Sequence, residues 1–208
     1  DVVGVAQTGT GKTLAFGVPM IQILARTKGR GLVLVPTREL ALQVDEMLHA
    51  VGRSLGLRTA VLIGGASMKP QLAAIGKNPH IIVATPGRLI DHLKQATVKL
   101  DAVHILVLDE ADRMLDMGFL PQVKTILHAV PAERQTMLFS ATLSSEIMKV
   151  AAAAMKLPIR VEIAPPGTTV ERVTQELFVV KREAKNRLLE SVLAEHRGSA
   201  LVFTRTKY

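Results

Sequence analysis

The chain has 208 residues, 48% of them hydrophobic, 21% charged and 3% aromatic, with no cysteine. That bounds it to one or two domains and excludes a disordered chain, a disulfide framework, a thiolate metal site and a cysteine nucleophile; no apolar run reaches the roughly 18 residues of a membrane span. The 26 Lys and Arg against 18 Asp and Glu leave a net charge of +8, which suits a polyanionic partner and equally a solvated basic surface.

Val2 to Ala6 reads as a buried strand. Leu14 to Ala25 follows, apolar nearly all round, and predicts a buried helix bent at Pro19. Gly31 to Pro36 is a second strand. Glu39 to Leu55 carries Leu40, Val44, Met47, Leu48 and Val51 at helical spacing. Further strand runs are Arg58 to Ile63, His80 to Thr85, Val103 to Asp109 and Gln135 to Ser140. The Ala-rich stretch Glu146 to Met155 has strong helix propensity, and Ile159 to Ile163 is a last strand. Most of these runs are continuous rather than alternating, as in strands covered on both faces of a parallel sheet. Strand alternating with helix predicts an α/β, doubly wound architecture.

Near Ala164 the composition changes. Ala164-Pro165-Pro166-Gly167-Thr168-Thr169 is rich in breakers and reads as a linker. Beyond it come an alternating strand (Val173 to Val180), a charged helix (Lys185 to His196) and an apolar run (Ala200 to Phe203). This tail is too small to bury a core of its own. The expected organisation is one domain over 1–163, a linker over 164–172 and the start of a second α/β domain over 173–208. Both ends look cut: Asp1 leads straight into an apolar run, and the chain stops just after another. The charge divides as 18 basic against 13 acidic residues in 1–163 and 8 against 5 in the rest, so the excess is not a basic tail.

Ala6-Gln7-Thr8-Gly9-Thr10-Gly11-Lys12-Thr13 lies between a strand and a helix. Glycines there let backbone N–H groups cradle phosphates at a helix N-terminus, Lys12 would reach the β- and γ-phosphates, and the Thr13 hydroxyl would ligate Mg²⁺. Ala6 stands where the strict pattern has glycine. The buried run His104 to Leu108 ends in Asp109-Glu110, at the C-terminal edge of a parallel sheet. Asp109 would hold Mg²⁺ and Glu110 would orient or deprotonate a water. An acid pair that merely starts a helix is the simpler alternative.

Asp109-Glu110-Ala111-Asp112 together with AQTGTGKT, Ala6 included, resembles the DEAD-box ATP-dependent RNA helicases. Further motifs of that family occur in order: PTRELA (Pro36 to Ala41), Gly64-Gly65, TPGR (Thr85 to Arg88), SAT (Ser140 to Thr142), and VFTRTK (Val202 to Lys207), which resembles the first motif of the second domain. The resemblance covers essentially the whole chain, and its phrasing looks bacterial. It implies a RecA-like P-loop NTPase domain with a mostly parallel, doubly wound sheet, followed by an incomplete second α/β domain. It implies ATP and Mg²⁺ as cofactors, RNA as partner, a cytoplasmic protein without a membrane partner, and remodelling or unwinding of short RNA duplexes.

Thr37, Arg38, Gly64, Gly65, Thr85, Gly87 and Arg88 all follow strands and so share one edge with the phosphate loop. Arginines and threonines there can bond phosphate oxygens and glycines permit close approach, without reading bases. In the resembled family these segments grip the backbone of single-stranded RNA. Each segment alone is equally ordinary turn chemistry. Few aromatics are available as stacking platforms. The resemblance further implies that Ser140 and Thr142 bond Asp112 and link nucleotide state to RNA engagement; either hydroxyl could instead cap the following helix, with Glu146 nearby. The six histidines lack paired metal spacing, so core or surface histidines are expected. Met114, Met117 and Phe119 read as helix packing.

By resemblance, an upstream glutamine motif that recognises adenine would precede Asp1, and the arginines that reach the γ-phosphate would follow Tyr208. The chain alone is therefore expected to bind nucleotide but not to unwind RNA usefully. An ATP-gated RNA clamp without productive hydrolysis is the alternative reading, and Glu110 argues against it. A DNA translocase would carry other motif phrasing.

Overall fold

The computed structural model describes residues 1–7, 9–163, 174, 176–196 and 198–204. The chain divides into two units, 1–168 and 169–208.

The first unit is built on a seven-stranded, all-parallel sheet. Its strands are β1 (Val2–Val5), β2 (Arg30–Leu34), β3 (Thr59–Leu62), β4 (Ile81–Ala84), β5 (Val103–Leu108), β6 (Gln135–Ser140) and β7 (Ile159–Glu162). They are ordered β3-β4-β2-β5-β6-β1-β7. Six of the seven lie within the expected runs and β2 starts one residue early, at Arg30; the inner strands β2 and β4 are buried almost throughout, whereas the edge strand β7 is exposed at all four positions. In β2, Leu32 and Leu34 join the core on one face, while Val33 and the following Val35 join the core on the other. Each such side chain fully buried contributes about 1.5–3 kcal/mol.

Helices α1 (Lys12–Leu24) and α2 (Arg38–Gly52) cover one face through Phe16, Met20, Ala41, Val44 and Leu48. Helix α3 (Met68–Gly76), α4 (Pro86–Lys94), α5 (Ala111–Asp116), α6 (Leu120–Ala129) and α7 (Ser145–Ala154) follow in chain order. Of these, α4 to α7 pack on the other face through Leu89, Met114, Ile126 and Ile147. Local chemistry sets several of the starts. Thr37 caps α2 by accepting the Leu40 N–H (3.2 Å), Thr85 precedes Pro86 at the first position of α4, and Ser144 caps α7 by accepting the Ile147 N–H (3.3 Å). Ser144, rather than Ser140 or Thr142, is therefore the cap of α7.

Two expectations are corrected. Helix α1 is not buried all round: Leu14 is 52% exposed, and Val18 and Ile23 also face outward. Nothing among the described residues covers Leu14 and Val18; Pro19 and Ile23 line an apolar trough of about 420 Å³ with Phe139, Val161 and Ile163, and Thr10 and Lys12 also line it. In the second unit no strand forms among the described residues of 173–180 or at 200–203. Their apolar side chains, such as Leu177 and Phe203, are exposed, so among the described residues neither run is buried against a core. The unit's regular element is α8 (Lys185–Glu195), after a 3₁₀ turn at Arg182–Ala184. The expected linker and Arg205 to Tyr208 lie outside the described residues. Among the described residues no helix is long and apolar enough to cross a membrane.

Candidate nucleotide and RNA site

Strand order arranges the loops. At the C-terminal edge of the sheet they run Gly64-Gly65 (after β3), Thr85 to Arg88 (after β4), Pro36 to Arg38 (after β2), Asp109 to Asp112 (after β5), Ser140 to Thr142 (after β6), and the phosphate loop (after β1). Neighbouring strands lie about 4.8 Å apart, so six loops share roughly 24 Å of edge. Backbone bonds close this edge: Thr85 N–H to the Leu62 carbonyl, Val35 N–H to Ala84, Asp109 N–H to Leu34, and Ala6 N–H to Ser140.

The phosphate loop runs from Ala6 to the start of α1; Thr8 lies outside the described residues. Gly9 and Gly11 have φ of +81° and +86°, the left-handed region where a side chain is strained, and an added Cβ at either would meet open space. The Gly11 carbonyl accepts from Leu14 and Ala15 N–H, and the Thr10 hydroxyl donates to the Gln7 carbonyl (2.8 Å). Thr13 is half-buried in the first turn of α1. Lys12 is buried despite its charge.

Asp109 is 2% exposed. Burial pushes its carboxyl up to about 6, against the pull of the Lys12 ammonium and of the Glu110 N–H that donates to its Oδ1 (3.0 Å); the nearby Glu110 and Asp112 carboxylates push it further up. Glu110 sits at φ +51°, unusual for a residue with a side chain. That turn follows directly on the end of β5, with Asp109 buried and Glu110 half-buried. Arg113 donates from a guanidinium NH to Glu110 Oε2 at 3.3 Å.

Asp112 ties β5 to β6. Its Oδ2 accepts from Ala141 N–H (3.1 Å), Thr142 N–H (3.0 Å) and the Thr142 hydroxyl (3.2 Å), while its own N–H donates to the buried Ser140 Oγ (3.2 Å). Carboxylates that accept several N–H bonds form the stronger class of hydrogen bond.

The other half of the edge is a cleft of about 490 Å³, lined among others by Thr37, Arg38, Gly64, Gly65, Thr85 and Gly87. The N-termini of α2 and α4 open into it, placing two positive helix ends there. Gly65 has φ +68°, and an added Cβ would collide with the Arg38 guanidinium, which therefore crosses directly over it. Arg38 is exposed. Arg88 is more committed: its side chain is only 11% exposed, donates to the Ala66 carbonyl (3.0 Å), and lies 3.8 Å from Asp91.

Residues missed by sequence reasoning also line the cleft. Met117 is 48% exposed there; Phe119 is half-buried, lining the cleft while packing against the core that Met114 belongs to. The packing reading holds for Met114 and in part for Phe119 and is corrected for Met117. Helix α5 is six residues long and ends where Gly118 turns the chain at φ +76°. One short helix thus starts at the acidic motif and delivers two apolar side chains to the cleft. The signal available in the sequence was Gly118, one residue past a pattern too short to be a full helix.

The comparisons agree with this geometry. The profile of the DEAD/DEAH box helicase family matches residues 1–150. The chain is 46% identical to the ATP-dependent rRNA helicase RRP3 of Gibberella zeae, over 99% of this chain and 43% of that protein. It is 44% identical to the DEAD-box ATP-dependent RNA helicase CshA of Geobacillus kaustophilus, over 100% of this chain and 45% of that one. The crystal structure of the yeast DEAD-box splicing factor Prp28 superposes with a TM-score of 0.77 at 34% identity, covering 94% of this chain and 48% of the other. The chain spans less than half the length of these relatives. A fungal and a bacterial protein resemble it almost equally, so the motif phrasing does not assign a bacterial source. With the RecA-like sheet, the ordered edge of motifs and the profile match in agreement, the chain belongs to the DEAD/DEAH box helicase family.

Proposed function

We propose that this chain binds ATP at the loop of Ala6 to Thr13, grips the backbone of a single RNA strand in the neighbouring cleft, and belongs to a protein that spends ATP hydrolysis on separating short RNA duplexes. The observation that carries this reading is the single sheet edge on which the buried Lys12–Asp109 pair and the 490 Å³ cleft lie side by side, with α5 reaching from one to the other.

Each role follows from chemistry. The open backbone at Gly9 and Gly11, beside Gln7 and Thr10, cradles phosphates, and Lys12 supplies the positive charge for the β- and γ-phosphates. The donor set of Thr13 hydroxyl and Asp109 carboxylate fits Mg²⁺, which favours hard oxygen ligands and usually takes one or two carboxylates together with phosphate oxygens. Among the described residues no group of three or more His, Cys, Asp or Glu could hold a metal unaided, consistent with an ion carried in on the nucleotide. When bound, the ion neutralises charge on the transferring phosphoryl group. Glu110, held by Arg113, accepts a proton from the attacking water and aims it in line with the γ-phosphate. Asp112, Ser140 and Thr142 couple the acidic motif to the neighbouring strand.

In the cleft, Arg38, the helix ends at Thr37 and Thr85, and the bare backbone of Gly64, Gly65 and Gly87 bond phosphates and ribose. Met117 and Phe119 give the sugar an apolar wall. Arg88 contributes the N–H edge not already spent on Ala66. Contacts of this kind carry no base identity, so binding is insensitive to sequence and steeply salt-dependent.

The test separates the halves. Lys12→Ala abolishes binding of a fluorescent ATP analogue and leaves nucleotide-free RNA affinity in place, while Arg38→Ala does the reverse. Equal loss of both ligands in both variants would overturn the assignment.

A further inference from the structure

Two fully buried polar side chains, Gln71 and His92, stand behind the RNA cleft without lining it. Gln71, in α3, treats Ile63 as a strand partner. Its Oε1 accepts the Ile63 N–H (3.2 Å), and its Nε2 donates to the carbonyls of Ile63 and Ser67 (3.1 Å each). A backbone N–H only donates and a carbonyl only accepts, so Ile63 dictates which way the amide faces. Oε1 is then an acceptor, and His92 Nε2, 3.3 Å away, carries the hydrogen. In the neutral ring Nδ1 is left to accept from the Thr97 hydroxyl at 2.8 Å. Burial, aided by the Arg88 charge and opposed by Asp91, lowers the His92 pKa and favours that neutral ring.

The two residues belong to different cleft walls. Ile63 and Ser67 bracket Gly64-Gly65, and His92 lies in α4, whose first turn is Pro86 to Arg88. Arg88 adds a second tie by donating to Ala66. Thr97, just past α4, closes the chain: its hydroxyl lies 2.8 Å from His92 Nδ1 and 3.1 Å from the His92 carbonyl and shares its single hydrogen between those two acceptors. A satisfied polar network in a dry interior permits one arrangement where apolar packing would permit several.

We propose that Gln71 and His92 are positioning residues that fix the Gly64-Gly65 loop against the Thr85–Arg88 turn and so set the width of the RNA cleft. The inference rests on reading that cleft as the RNA path. Positioning of this sort matters because a displacement of about 1 Å can cost up to about 10²-fold in a geometry-dependent function.

The test measures the affinity of the protein for a labelled uridine oligonucleotide and, separately, for a fluorescent ATP analogue, each below the variant's melting temperature. The variants are Gln71→Ala, Thr97→Val, Thr97→Ser and Arg38→Ala. Gln71→Ala should weaken RNA binding about tenfold with nucleotide affinity unchanged, since the phosphate loop lies across the sheet from it. Thr97→Val should weaken RNA binding less, and Thr97→Ser, which keeps the hydroxyl, should restore it. Imidazole ¹⁵N spectra should give His92 as the Nε2–H tautomer in the wild type. Should Gln71→Ala prove poorly folded, the Val and Ser variants at Thr97 decide alone. RNA affinity untouched by Gln71→Ala and Thr97→Val, or RNA and nucleotide affinity falling in step, would overturn the inference while a loss with Arg38→Ala kept the cleft reading. No loss with Arg38→Ala would overturn both.

Discussion

Beyond β3, β4 and β2 the sheet edge offers an exposed arginine, two helix N-termini and bare glycine backbone; beyond β5, β6 and β1 it buries a lysine and a carboxyl in each other's field. The first half suits a long polyanion met at its surface, where many weak contacts sum and none reads a base. The second suits a compact triphosphate, where few contacts act in a low dielectric and each is strong. The two halves need no separate domains, because strand order alone sorts them. Helix α5 crosses the border: Asp112 lies in its first turn, and Met117 and Phe119 follow its last residue, Asp116. The contrast predicts that substitutions in one half leave the other half's ligand alone, except where they touch α5.

The largest expected break is Glu110→Gln. It should cut the RNA-stimulated ATPase of the full-length protein by about 10²–10⁴-fold, the usual worth of a positioned general base, while ATP still binds. Phosphate release at the wild-type rate would instead favour a clamp whose grip needs no hydrolysis.

Gly65→Ala probes the RNA half. The new Cβ requires a strained backbone at φ +68° and evicts the Arg38 guanidinium. A loss of about 1–2 kcal/mol in RNA binding is expected, on the scale of strain at such a position, with ATP affinity unchanged in the same titrations.

Asp109→Asn acts with the opposite sign, on stability rather than on binding. Folding raises this carboxyl from 3.8 to about 6, so its protonated form stabilises the fold fully below about pH 4 and that contribution is lost as pH rises through 6. Asparagine removes the cost of the buried charge. The nucleotide-free variant should be more stable than wild type at pH 7.5 by about 1–3 kcal/mol, and thermal melts at pH 4 should show the gap closed. The same variant should fail to hydrolyse ATP, the trade expected of a strained site.

Much of this was legible before folding was considered. Continuous apolar runs located the inner strands, because burial on both faces leaves little other composition open, while the exposed edge strand β7 was legible only from its β-branched residues. Thr37, Arg38, Asp109 and Glu110 were legible from their places at strand ends. Helices α3, α4 and α6 were not, since each is only nine or ten residues and opens on proline- or glycine-bearing sequence that reads as turn. Helix α1 misled in the other direction: its apolar sides are all alike in sequence, and only the fold decides that Leu14 and Val18 face outward. Met117 and Phe119 carried a hydrophobic signal that core packing explains equally well, and their place in the cleft depends on where α5 ends. Gln71 and His92 gave no signal, because a buried polar side chain is defined by partners distant in sequence.

The claim that one short helix joins the halves is tested most directly at Asp112. In the full-length protein, RNA affinity is measured with and without a non-hydrolysable ATP analogue, and analogue affinity with and without RNA, for wild type and Asp112→Asn. Wild type should show the same enhancement in both directions, a coupling of about 1–3 kcal/mol. Asp112→Asn, which weakens the bonds to Ala141 and Thr142, should bind each ligand alone as wild type does and lose most of that enhancement. An undiminished coupling in Asp112→Asn would contradict the account.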